Sequence, residues 1–345
     1  MILFNEKKTK TWEVSRYRIG LDIRMLPNSG IGTYLRGLLS GFRELGLDKD
    51  LTLFGSSASV GMQSLRAAET AKQSCFNNEI AAPQKTGLAM TMLSREHGND
   101  KIVEFTAPIY SIREQLQYPA RLRQCRLWHA PHYNVPLWKG ATKLVVTIHD
   151  IIHWIFRKQF FTPLQGVYAG WMLHRAVASA DHIIAVSHNT KKDLIEHFHA
   201  PEQKITVIYQ GVDEIRQPSS FSQHRSDFER LRAKYKLPEK FFLYVGLIKP
   251  HKNILMLVRL FRELKSRKIV EASLVLIGRK DRSYPSGYTE LAKLNSAGGI
   301  LYFPAMDPGE LAVVYRQAVA LVHPSLYEGF GLTLLEAMSF GTPVL

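Results

Sequence analysis

The feature that most constrains this chain is a series of short apolar runs with no alternation of polar and apolar positions. Leu144-Val-Val-Thr-Ile148, His182-Ile-Ile-Ala-Val186, Phe241-Phe-Leu-Tyr-Val245 and Ser273-Leu-Val-Leu-Ile277 are nearly continuous. A strand with one solvated face alternates; a parallel strand covered by helices on both faces does not. Arg18-Ile-Gly-Leu-Asp-Ile23, Ile205-Thr-Val-Ile208, Leu301-Tyr-Phe303 and Ala318-Val-Ala-Leu-Val322 extend the series. Helical spacing lies between the runs: Leu35, Leu38, Leu39 and Phe42 after the first, then Ile254 to Leu264 and Glu310 to Gln317. Ser187 stands where a helix N-cap belongs. Strand and helix alternating in two blocks predict two doubly wound, Rossmann-like α/β domains. Ligands of such sheets bind beyond the carboxyl ends of the strands, and two domains facing one another enclose a central cleft.

The break between the blocks is compositional. Residues 1–17 are polar, lack periodicity and read as a lead-in. Residues 18–213 form the expected first domain and 239–345 the second. Between them, 214–238 reads as a linker in which Ser219, Ser220, Ser222 and Ser226 mix with charges. A chain of 345 residues has room for a core in each domain. The two cysteines, Cys75 and Cys125, make neither a disulfide framework nor a zinc-binding pair, which favours a reducing, cytoplasmic setting. The N-terminus places Met-Ile-Leu-Phe ahead of Lys7, Lys8 and Lys10, the reverse of a signal peptide. No run approaches the roughly 20 apolar residues of a membrane span. The net charge of +15 must attract polyanions: nucleic acid, an anionic membrane leaflet or a phosphorylated substrate, among which composition does not choose.

Chemistry concentrates in Pro324-Ser-Leu-Tyr-Glu328-Gly-Phe-Gly-Leu-Thr-Leu-Leu-Glu336. Glu328 falls in the loop after the run ending at Val322, and Leu332 to Met338 reads as a helix start. Gly329 and Gly331 allow close backbone approach to a ligand. Amides at a glycine loop and a helix start suit a diphosphate. A carboxylate on the loop would meet sugar hydroxyls, and one about two turns into the helix would accept from a ribose diol. The whole string, with Ala-Met and then Gly341-Thr-Pro-Val after it, resembles the donor-site signature of the retaining glycosyltransferases of family four, which have the GT-B fold.

The resemblance implies a set of roles. Glu328 takes the place of the carboxylate beside the reacting carbon of the donor sugar, and Glu336 that of the ribose ligand. Gly329, Phe330, Gly331 and Leu332 take that of the loop holding sugar and phosphate. In Tyr244-Val-Gly246-Leu-Ile-Lys-Pro-His-Lys252, Gly246 and Lys252 match a phosphate-binding turn. Leu247 stands where the family often has an arginine, with Lys249 as the nearest substitute. Arg279, beside Lys280, follows a strand near the nucleotide. Gly30-Ile-Gly32-Thr-Tyr34 resembles the first glycine loop, which places Gly32 near the donor phosphates and Tyr34 near the acceptor. It lacks the third glycine of a dinucleotide fingerprint, which excludes a nicotinamide enzyme. His149 and Asp150 directly follow a buried run, and His149 resembles the family's catalytic-site histidine; His132 falls on the acceptor side. His149 and His153 are four apart, but no third ligand has metal-binding spacing, so no metal and no cofactor is expected.

The details around His129–His153 and Asp181–Ser187 look like bacterial mannosyltransferases of surface polysaccharide assembly. The implied reaction moves mannose from GDP-mannose to a glycan or undecaprenyl-linked acceptor with retention, at the inner face of the membrane. Arg121-Leu-Arg123-Gln-Cys-Arg126 and the Lys7, Lys8, Lys10 cluster are candidates for lipid contact, and no nucleic-acid motif accompanies the charge. The rival expectation is a non-catalytic GT-B scaffold that binds a glycan or a polyanion; an epimerase or a glucan synthase on the same fold is a third. The resemblance runs from Arg18 to Leu345, whereas the family continues through a final helix. A truncated second domain would expose a sheet edge, and poor solubility is expected of it.

Overall fold

The computed structural model describes residues 18–28, 30–56, 102–212, 225–279, 281, 284 and 299–345. The lead-in with Lys7, Lys8 and Lys10, and also Cys75 and Lys280, lie outside the described residues. The chain divides into two compact units. The first comprises Met1–His149 and Gly170–Ile208; the second comprises Asp150–Ala169 and Tyr209–Leu345.

The first unit is built on a seven-stranded parallel sheet of order β3-β2-β1-β4-β5-β6-β7. Its strands are β1 (Ile19–Asp22), β2 (Leu51–Gly55), β3 (Ile102–Glu104), β4 (Leu127–Ala130), β5 (Lys143–Ile148), β6 (His182–Ala185) and β7 (Ile205–Val207). Helix α1 (Ile31–Glu44) buries Leu35 and Leu39 against Leu21, Leu51 and Leu53. Helix α2 (Ile112–Leu122) starts at Ser111, whose hydroxyl accepts the Glu114 N–H at 3.1 Å. The short α3 (Ile152–Ile155), which groups with the second unit, and α4 (Pro163–Ser179), which begins in the second unit and ends in the first, follow β5. Helix α5 (His188–Phe198) opens at Ser187, which accepts the Thr190 N–H at 3.0 Å, as the sequence predicts.

The second unit carries a four-stranded parallel sheet of order β10-β9-β8-β11. Its strands are β8 (Phe241–Val245), β9 (Ser273–Ile277), β10 (Ile300–Phe303) and β11 (Ala320–Leu321). Helices α6 (Arg225–Tyr235), α7 (Ile254–Ser266), α8 (Pro308–Gln317) and α9 (Leu332–Ser339) accompany it. One core joins Phe228, Leu231, Phe241, Leu243 and Val314; the other joins Tyr244, Val258, Phe261, Leu274 and Leu276. Alternate residues of β8 and β9 thus feed different cores, which explains why their sequences are apolar throughout. Helix α6 lies within the 214–238 stretch that reads as a linker, and its Phe228 and Leu231 are buried. Strand β11 is shorter than the apolar run Ala318–Val322, because Ala318 caps α8.

Candidate functional site

In the second sheet the strand order reverses between β8 and β11, so the loops leaving their carboxyl ends are neighbours. Lys252 lies on the 3-10 turn Pro250–Lys252 after β8, and Glu328 lies on the loop after β11. The two loops are tied by the Leu326 N–H, which donates to the His251 carbonyl at 2.8 Å. The Lys252 ammonium donates to Glu328 Oε1, and His323 Nε2 lies 2.9 Å from the same oxygen. Burial works to raise the Glu328 carboxyl, but His323 and Lys252 together hold it down at about 2. On the same turn His251 is buried, and desolvation together with the Lys252 and Lys249 charges pushes its ring down to about 4. An anionic carboxylate, a lysine and a neutral histidine are therefore packed at this reversal point.

The backbone around them is closely drawn. A Cβ on Gly278 would overlap the Gly246 carbonyl, and Gly246 has φ 152°. Ile248 N–H donates to the Arg279 carbonyl at 3.1 Å, while the Arg279 side chain is exposed. Leu247 offers its carbonyl to Tyr244 Oη at 3.1 Å, and Lys249 lies 3.3 Å from Asp281. Gly331, at φ 88°, caps the start of α9, whose leading amides make an anion-favouring end beside Glu328 in sequence. The Phe330 ring stacks on Tyr209 with centroids 5.9 Å apart. Glu336 is the fifth residue of α9, a little over one turn in rather than two. It is buried, and Tyr315 Oη donates to its Oε2 at 3.2 Å.

The first sheet reverses between β1 and β4. Gly32 is required there because a Cβ would run into the Leu26 carbonyl of the preceding loop. Tyr34 Oη and His129 Nε2 each lie 2.8 Å from Thr147 Oγ1. Burial pushes the Tyr34 phenol up to about 12. Burial, and then the neighbouring His149, push His129 down to about 4. The His149 ring meets Tyr34 edge-on at 5.0 Å, and its Nε2 donates to the Pro131 carbonyl at 3.0 Å. That bond sets the tautomer: whenever the ring is neutral, its lone pair is on Nδ1. Asp150 Oδ1 accepts the Ile152 N–H at 3.0 Å, closing an Asx turn into α3. His132 lies against Tyr133 with ring centroids 3.9 Å apart, and Tyr110 Oη is 3.5 Å from its ring nitrogens.

Several residues of these sites are absent from the sequence reading. His323 stands directly before Pro324, after a strand, as His149 does; that shared position is the available signal. Tyr315 carries none. A buried charge network also escaped notice. Arg24 Nη2 lies 2.5 Å from Asp22 and 2.7 Å from the fully buried Glu114. Its guanidinium sits 3.7 Å over Phe105, and Asn134 Nδ2 donates to Glu114 at 2.6 Å. The network fastens the loop after β1 to those carrying Tyr110 and Asn134; long-range charge pairing leaves no local pattern to read.

Two family models match the chain. The description "Glycosyltransferase Family 4" covers residues 29–216, and "Glycosyl transferases group 1" covers 227–345. The chain belongs to glycosyltransferase family 4. It is similar to the O-antigen chain mannosyltransferase RfbU of Salmonella typhimurium, 29% identical over 240 residues, 69% of this chain and 60% of that protein. It is also similar to O-antigen chain mannosyltransferase B of Escherichia coli, 30% identical over 223 residues, 64% and 56% of the respective chains. The matches thus span less than two thirds of these relatives' length. Among solved structures, HepE of Anabaena in complex with UDP and glucose aligns with a TM-score of 0.63 at 16% identity, over 95% of this chain and 80% of that one. At that identity the likeness speaks for the fold, which is GT-B.

Proposed function

We propose that the chain transfers a hexose from a nucleoside-diphosphate sugar to a glycan or lipid-linked acceptor in surface polysaccharide synthesis, with mannose from GDP-mannose as the donor sugar and with retention of configuration. The observation that carries the reading is the Lys252–Glu328–His323 cluster at the strand reversal of the second sheet, next in sequence to the start of α9. The mannosyltransferase relatives support the sugar and the process.

In this reading the diphosphate lies against Gly246, Lys252 and the amides of Gly329 to Leu332, where its growing charge is offset as the glycosidic C–O bond breaks. Glu328, ionised and held by two partners, accepts hydrogen bonds from sugar hydroxyls and opposes the positive charge that builds at the anomeric carbon. Glu336, steadied by Tyr315, takes the ribose hydroxyls. The acceptor oxygen attacks the face the diphosphate leaves, and a leaving phosphate oxygen takes the acceptor proton. No carboxylate nucleophile is needed, unlike a retaining hydrolase. Tyr34, His132 and His149 belong to the acceptor-side unit, Asp150 is the first residue of the segment that groups with the second unit, and His149 Nδ1 is the group suited to a sugar hydroxyl. Arg279 lies towards the base.

The test incubates the chain with GDP-mannose, UDP-glucose and a lipid-linked glycan, and follows donor consumption, product linkage and anomeric configuration. GDP-mannose should be used best, and Glu328→Ala or Lys252→Ala should lower turnover by about 100-fold or more. Preference for another donor removes mannose from the reading. If no donor is consumed and Glu328→Ala changes no product, a non-catalytic glycan-binding scaffold takes its place.

A further inference from the structure

Tyr110 stands in the loop that leaves β3, with φ 69°. A β-carbon makes that left-handed backbone costly, and glycine, asparagine or aspartate is its usual occupant. His199, Lys236 and Lys268 share the sign of φ but follow helix ends, where it is the common stop, and Asn253 is of the tolerant type. Tyr110 ends no helix. Its conformation is held by charge: the Tyr110 N–H donates to Glu114 Oε2 at 3.0 Å. Glu114, fully buried, takes Asn134 Nδ2 on the same oxygen and Arg24 Nη2 and Tyr118 Oη on the other. Arg24 Nη1 also donates to the Ala107 carbonyl at 3.1 Å. The loop after β3 is thereby drawn to those after β1 and β4, although β2 and β1 separate β3 from β4 in the sheet.

The ring so positioned does not serve the core. Tyr110 is 47% exposed, whereas Tyr118, on the same network, is 1% exposed. The Tyr110 ring meets that of His132 at 74°, with centroids 5.9 Å apart, and His132 lies against the buried Tyr133. His132 Nδ1 accepts the Asn134 N–H at 3.3 Å, so the neutral imidazole carries its proton on Nε2. The loops bearing Tyr110, His132 and His149 leave the carboxyl ends of β3, β4 and β5. An aromatic wall and an imidazole, set nearly at right angles, thus form a corner at that edge of the first sheet.

We infer that Tyr110 is an acceptor-binding, specificity-determining residue: a pyranose of the glycan acceptor stacks its C–H face on the Tyr110 ring while one of its hydroxyls meets His132. The inference rests on the proposed acceptor-side role of His132. A pyranose carries hydroxyls around its rim and C–H bonds on its faces. Polarised C–H bonds favour the electron-rich face of an aromatic ring, and one polar group beside such a wall fixes the orientation of the sugar. The corner therefore selects sugars by the continuity of a C–H face as well as by a hydroxyl. It also accounts for the strain. Glycine or asparagine would hold the same turn at lower cost but would supply no ring, and backbone strain of this kind concentrates where a side chain must meet a ligand.

The experiment is saturation-transfer NMR on the full chain without donor, with methyl α-mannoside, methyl β-galactoside and the open-chain polyol sorbitol as probes. At least one glycoside should receive saturation at its ring C–H protons, and sorbitol, which has hydroxyls but no ring face, should receive none. Tyr110→Ala and Tyr110→Gly should each weaken glycoside binding about tenfold, and Tyr110→Phe should stay within about threefold of wild type. The glycine variant separates recognition from folding. Relieved of the cost of positive φ, it should unfold at a urea concentration no lower than wild type while binding as poorly as the alanine variant. In the transfer assay Tyr110→Ala should raise the KM for the acceptor by a similar factor and leave the KM for the donor unchanged. Absence of saturation on both glycosides, equal saturation of sorbitol, or wild-type binding by Tyr110→Ala and Tyr110→Gly overturns the inference. Glycoside binding that depends on Tyr110 in a chain that consumes no donor upholds the subsite and removes the proposed transfer activity alone.

Discussion

Glu328 Oε1 accepts from both Lys252 and His323, which keeps the carboxylate ionised down to about pH 2. Transfer should therefore show no loss of activity from this group on the acid side until well below pH 4. Lys252→Met removes one of the two partners, so the Glu328 carboxyl should move up towards its ordinary value and the acid limb of the pH–rate profile with it; an unmoved limb would assign the charge to His323 alone. His129 and His251 act on stability instead. Each is held neutral with a folded value of about 4 against about 6.5 unfolded. Between those values the unfolded chain binds protons that the folded one refuses. Stability is thus fully present above about pH 6.5 and is lost as pH falls towards 4, by up to about 3 kcal/mol per ring. Urea titrations at pH 7.5 and 5 should show the midpoint falling, and His129→Gln should flatten part of that slope.

At the scale of elements, the apolar strands and the glycine loops of both sheets were the legible part. Phe241–Val245 and Ser273–Ile277 match β8 and β9 because burial on both faces writes itself into every position. Ser187 was legible because a cap needs one residue type at one place. Strand β4 was not, since Leu-Trp-His-Ala has no apolar continuity, and α6 was not, since its charges hide Phe228 and Leu231. Glu328 and Lys252 could be named from the motif, but their mutual contact depends on β8 and β11 being neighbours, which no local pattern states. Two substitutions probe these elements. Ser187→Ala should cost about 1 kcal/mol in chemical unfolding. Gly278→Ala should cost more, about 2 kcal/mol or above, because the added methyl meets the Gly246 carbonyl rather than a movable side chain; a melting temperature equal to wild type would contradict the close approach.

At the scale of the whole chain, the two sheets have separate cores, and the proposed donor groups lie in the second unit. A bound nucleoside diphosphate stabilises whatever holds it, by about 2.7 kcal/mol at a hundredfold excess over its dissociation constant. Hydrogen exchange with GDP or UDP present should therefore slow first in segments around Lys252 and Leu332–Ser339, with β2 and β3 little changed. Among the described residues no helix is long and apolar enough to cross a membrane. The partition of the chain is not sequential: Asp150–Ala169 groups with the second unit, and Gly170–Ile208 returns to the first. The polypeptide thus passes from one unit to the other three times, and one passage falls inside the continuous helix α4. For anyone wishing to recombine chains of this family, a single splice at 208/209 would graft a second unit deprived of twenty residues it packs against. A functional chimera has to exchange 150–169 together with the C-terminal half, as one interrupted cassette.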